Sequence, residues 1–168
     1  MRQPRPVVRD LYWPGLVPQV LAVAVLCVAA WLLLPAEHRD LAPLFGAAAY
    51  LVFCRAMRWI LVRDHTLGIR QYRIGHFQES IAHFEASHRF FSAHPRIDAY
   101  RSLLFGVASR NSYRVIALSN MAYCYGQLGE RDRAIQLFEE VLQLSPGHAV
   151  AESTLNLMRA PVTPVGSA

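Results

Sequence analysis

The stretch VIALSNMAYCYGQLGERDRAIQLFEEVLQLSPGH, residues 115–148, decides how this chain is read. It holds two apolar runs with helical periodicity, separated by Gly126-Gln127-Leu128-Gly129-Glu130. Gly129 suits the position just past a helix, where left-handed backbone is cheap only without a Cβ. Asp132 is placed to cap the second helix, and Pro146 to end it. The pattern is helix, tight turn, antiparallel helix. A second stretch answers it: YRIGHFQESIAHFE, residues 72–85, sets Gly75 where the later stretch has Gly129. No strand alternation of any length appears from Asp64 onward, so an all-α fold is expected.

With Ala134 as the small residue where two helices cross, the 34-residue unit from Val115 to His148 resembles the tetratricopeptide repeat family. Its signature positions carry Leu118, Met121, Ala122, Tyr125, Ala134, Phe138, Val141 and Pro146. Tyr125, Ala134, Phe138 and Pro146 are the family's commonest residues there, and the others are conservative. An earlier copy over about 61–95 aligns Leu67, Gly68, Ser80, Phe84 and Ser87. It has Gln71 where an aromatic is usual, and its closing proline is displaced to Pro95. The copies are offset by 54 residues, 20 more than one repeat. The excess, about 96–112, contains Ile97, Tyr100, Leu103, Leu104 and Phe105, and is expected to be an extra helix or packed loop.

Repeats of this kind cannot bury their faces alone, and about three are needed for a stable stack. With two copies, the insert and a terminal helix over 149–158 are expected to complete the core, leaving 160–168 as a frayed tail. The resemblance implies a peptide groove lined by the first helix of each copy. Carried over by position, the lining is Val62, His65, Ile69, Tyr72 and Arg73, then Ile116, Ser119, Tyr123, Gly126 and Gln127. Of these, His65, Ile69, Tyr72, Arg73, Ser119, Tyr123 and Gln127 are the candidate partner contacts. The basic clamp that some members use for a peptide carboxylate is not evident, since Ser119, Asn120 and Tyr123 occupy its region.

The N-terminal part has a different character. Leu16 to Leu34 is 19 residues without a formal charge, 11 of them Leu or Val. As a helix it spans about 28 Å, close to the hydrocarbon thickness of a bilayer. A cleaved signal peptide is the competing reading, but the run exceeds the usual apolar core and no small-residue cleavage site follows it. A second run, Leu41 to Cys54, reaches spanning length only if the helix continues to Val62, with Arg55 and Arg58 reaching the headgroups. A re-entrant or surface helix is the alternative. Gly46 to Ala49 lets the two helix backbones approach closely. Expected segments are 1–13 cytoplasmic, 14–34 and 41–62 membrane-spanning, 35–40 a periplasmic turn, and 63–159 a cytoplasmic repeat domain.

Charge supports this division. The net charge of +5 is carried entirely by arginine, without lysine. Residues 1–63 hold seven arginines against three acids, whereas 64–168 hold ten against nine. The basic excess therefore flanks the apolar runs, which argues against a nucleic-acid module and, by the positive-inside rule, places both termini in the cytoplasm. Composition agrees, with 54% hydrophobic and 17% charged residues excluding a disordered chain. Three cysteines without CxxC spacing exclude a disulfide scaffold.

No catalytic motif stands out. His76, Glu79 and His83 share a helical face, but zinc-site spacing is absent, so no metal or cofactor is expected. Cys124 reads as a packing residue. The resulting expectation is a non-enzymatic adaptor, multi-pass in a bacterial inner membrane, binding an unidentified protein segment on the cytoplasmic side. The alternative is an accessory subunit of a membrane transport or envelope-assembly complex, with the hairpin as its main interface.

Overall fold

In a computed structural model describing residues 13–160, the first apolar run forms α1 (Leu16–Leu33) after a 3-10 turn at Trp13–Gly15. Arg2, Arg5 and Arg9, and the tail beyond Ala160, lie outside the described residues. Helix α1 ends where Leu34 turns extended (ψ 144°) ahead of Pro35, which cannot continue a helix. The link is a second 3-10 helix, Ala36–Leu41, with the Arg39 guanidinium 4.5 Å above the Trp31 ring.

Helix α2 (Ala42–Leu61) begins with Pro43 in its first turn, where the missing N–H costs nothing. Ala42, Gly46, Tyr50 and Cys54 are its buried residues, one per turn on a single face. That face packs antiparallel on α1, which buries none of its own residues. A single residue, Val62, separates α2 from α3 (Arg63–Arg73). The hydrogen-bond ladder continues across it: Val62 N donates to Arg58 O, and Thr66 N donates to Val62 O, both at 3.0 Å.

The two repeat copies are α3 with α4 (Phe77–Ala93), and α7 (Tyr113–Gln127) with α8 (Arg131–Leu144). Their turns are the same device. In the first, Gly75 N donates to Tyr72 O and His76 N to Gln71 O; in the second, Gly129 N donates to Gly126 O and Glu130 N to Tyr125 O. Both are Schellman closures, and both require the positive φ found at Gly75 (84°) and Gly129 (79°). The cap of α8 differs from expectation. Glu130, not Asp132, occupies the N-cap, because the six-residue closure ends at Glu130 and helical geometry starts at Arg131. Asp132 sits in the first turn, where its charge still favours the helix N-terminus.

The insert folds as two short helices, α5 (Pro95–Ala99) and α6 (Arg101–Phe105), followed by a loop to Ser112. Buried Asp98 fixes it: Oδ1 accepts from Tyr113 N (2.8 Å) and Oδ2 from Arg114 N (3.1 Å), at the start of α7. The Arg101 guanidinium holds the loop by donating to the carbonyls of Asp98, Ser109 and Arg110. Terminal helix α9 (Ala149–Arg159) packs on α8, with His148 Nδ1 accepting from Ala151 N at its start.

The fold is all-α, two apolar helices followed by helical repeats. Two cores hold it. The larger joins the repeats and α9 through Phe84, Leu118, Met121, Phe138, Val141 and Leu155. The smaller lies where α2, α4, α6 and α7 meet, around Val62, Phe91, Phe105 and Tyr113. Phe91 stacks on Tyr113 at 4.8 Å, and Phe105 meets Tyr113 edge-on at 5.5 Å.

Candidate protein-binding face

The small-residue crossings set the spacing of the repeat helices. Ala134 is fully buried between α7 and α8. Ser80 occupies the equivalent place in the first copy, where its hydroxyl donates to Gly68 O at 2.9 Å and Cys124 Sγ donates to Ser80 Oγ at 3.4 Å. Ser80 therefore bridges α3, α4 and α7, and Cys124 is a buried packing group with its thiol pKa raised by burial. Leu118, Met121, Ala122, Phe138 and Val141 are buried. Tyr125 is half-buried beneath the Arg133 guanidinium (5.0 Å to the ring), and Pro146 is exposed just beyond α8.

The positions carried over as groove lining divide sharply. His65 and Ser119, equivalent in the two copies, are both buried and present almost no surface to a partner. His65 lies edge-on between Phe84 (5.5 Å) and Tyr113 (5.2 Å), with Ser87 Oγ 3.4 Å from Nδ1. The reason is the insert, which holds Tyr113 and Phe105 over the start of α3. With no counter-charge beside it, burial pushes the His65 pKa down to about 4. Ser119 turns its hydroxyl back to Val115 O (3.0 Å), which satisfies it in a buried site. Val62 is buried in the smaller core.

The remaining positions reach the surface. Arg73 and Gln127 are exposed; Ile69, Tyr72, Ile116 and Tyr123 are half-buried. Tyr72 packs edge-on against Phe77 at 5.5 Å, and Tyr123 against Phe138 at 5.1 Å. Both rings are thus held in place while part of each faces outward. Burial raises the Tyr72 pKa, so it acts as a neutral hydrogen-bonding group. Helix α9 bounds the face: Tyr123 Oη lies 3.3 Å from Thr154 Oγ1, and a Cβ on Gly126 would meet Met158 Cε at 3.1 Å. Gln71 adds a feature not seen in the sequence. Its Oε1 is buried without a hydrogen-bond donor among the described residues. Gln71 stands where the second copy has Tyr125, so departure from the aromatic pattern was its only signal.

Residues 115–148 match the tetratricopeptide repeat family. This segment is a tetratricopeptide repeat. Comparison with curated proteins and with solved structures gives no match. The repeat accounts for α7, its turn and α8, and it supports reading the outward face as a protein-interaction surface. Among the described residues, no group of three or more His, Cys, Asp or Glu side chains is arranged to hold a metal ion. His83 instead lies 3.8 Å from Asp64 Oδ1, and His76 is exposed at the start of α4.

Proposed function

We propose that the protein is a non-enzymatic adaptor, anchored in a bacterial inner membrane by α1 and α2, with both termini cytoplasmic. Its repeat domain holds a protein segment along Ile69, Tyr72, Arg73, Tyr123 and Gln127. The repeat at 115–148 carries this reading, because its rigidly packed aromatics, flanked by polar ends, fit an extended peptide. Two observations support the anchor. Both apolar helices are long enough to cross a bilayer. Among the described residues, all but four of the exposed large hydrophobic side chains lie between Trp13 and Ile60, the four being Ile74, Tyr100, Leu144 and Leu157. The link Ala36–Leu41 joins antiparallel helices, so the arginine-rich ends share one side. Tethering raises the effective concentration of the bound segment at the membrane.

The test is photo-crosslinking in intact cells from position 123, and separately from Ala48. Specific capture from position 123, lost with Arg73→Glu, is the expected result. Capture from Ala48 alone would favour the accessory-subunit reading. Gly46 weighs against that reading, because it is buried against α1 and so is not open to another protein. Topology is tested by labelling His38→Cys and Gln78→Cys with a membrane-impermeant thiol reagent. Only the first should react in intact cells.

A further inference from the structure

At the C-terminal end of α2, Arg55 and Arg58 border a crevice of about 270 Å³ between α1, α2 and the end of α6. No acidic side chain lines it, and neither arginine has an ion-pair partner among the described residues. Gln19 of α1 completes the crevice. Its Nε2 is buried and finds no acceptor among the described residues. Two cations and an orphan amide donor therefore converge on one space. An apolar groove of about 560 Å³ opens beside it, lined by Leu51, Val52, Ala56 and Trp59 and sharing Leu51 and Arg55 with the crevice.

We infer that this crevice and groove bind one anionic phospholipid of the cytoplasmic leaflet. The phosphate sits between Arg55 and Arg58, the Gln19 amide donates to a phosphate or ester oxygen, and an acyl chain lies along Leu51 and Val52. Arginines three residues apart share a helix face, and their guanidinium groups are shaped to bind phosphate oxygens. The charge order fits the bilayer, with cations toward the end of α2 and apolar residues a turn deeper. Exposed Trp59 lies at the level an interfacial aromatic takes. The inference rests on the membrane-hairpin reading above. It goes further by assigning a ligand class and a place for it, where the anchor alone requires only apolar surface.

The experiment uses the full chain carrying Trp13→Phe and Trp31→Phe, so that Trp59 is the sole tryptophan. It is reconstituted in phosphatidylcholine vesicles containing phosphatidylglycerol, with brominated acyl chains on one lipid or the other. Quenching of Trp59 reports which lipid lies beside it. The expected result is preferential quenching by phosphatidylglycerol, by about fivefold. Arg55→Gln with Arg58→Gln should abolish the preference, and Gln19→Leu should weaken it with net charge unchanged. Equal quenching by both lipids overturns the inference. So does a preference that survives the double substitution. Flotation of the same vesicles separates the two readings: a chain that fails to float overturns anchor and site together, while one that floats without preference overturns the site alone.

Discussion

Gly46 lies so close to Cys27 that a Cβ on the glycine would fall 2.6 Å from the Cys27 backbone nitrogen and 2.7 Å from its sulfur. Backbone atoms cannot yield as a flexible side-chain tip can, so any side chain here forces α1 and α2 apart. Gly46→Ala should destabilise the hairpin by about 1–3 kcal/mol, the range for overpacking, and Gly46→Leu by more. Thermal unfolding in detergent checks this. Unchanged midpoints for both variants would show that the helices do not meet at Gly46.

Beside the apolar contacts of the smaller core, one carbonyl links the hairpin to the insert. Tyr50 Oη donates to Leu103 O at 3.0 Å, and Cys54 Sγ reaches the same oxygen at 3.7 Å. Tyr50→Phe removes the stronger donor and leaves a part-buried carbonyl with only a thiol, at a cost of about 1–2 kcal/mol. Amide exchange of residues 101–107 should accelerate while that of 115–148 stays unchanged. Equal acceleration in both segments would mean that the insert is not an independent link.

The order of elements was legible because it rests on local signals. Gly75, Gly129, Pro35 and Pro146 mark breaks that backbone sterics enforce whatever the surroundings. The repeat was legible from Tyr125, Ala134 and Phe138, whose spacing is fixed by helix crossing. What the sequence hid is long-range. Nothing around Leu103 announces that its carbonyl meets Tyr50, 53 residues earlier. His65 and Ser119 were read as groove residues by position alone, but burial depends on what packs over a helix, and Tyr113, held by Asp98 of the insert and by Phe91, covers His65.

Asp98 is the second such long-range element, and it makes the insert part of the repeat domain. Its carboxylate accepts from two backbone N–H groups at the start of α7, supplementing the Ser112 hydroxyl, which accepts from Val115 N at 3.3 Å. Asp98→Ala leaves buried donors unpaired and removes a charge that favours the helix N-terminus, costing about 1–3 kcal/mol. Asp98→Asn keeps one acceptor oxygen and should recover part of the loss. Urea unfolding of the three proteins gives the order wild type, Asn, Ala. If Asn is no better than Ala, the side chain does not act as a cap.

His65 makes the domain acid-sensitive. Its folded-state pKa of about 4 lies below the unfolded value of about 6.5, so the unfolded chain binds the proton more readily. Its contribution is therefore complete above about pH 6.5 and is lost as pH falls toward 4. The loss amounts to about 3 kcal/mol if the whole shift is expressed. No counter-charge compensates, since the ring is packed between Phe84 and Tyr113 with only the Ser87 hydroxyl at hydrogen-bonding range. The decisive comparison is between wild type and His65→Gln. Gln cannot gain a proton, and this variant should be less stable at pH 7.5 yet lose less stability between pH 7 and 5. Parallel pH profiles for the two proteins would mean that His65 is hydrated in solution and is not the buried neutral imidazole placed against Tyr113.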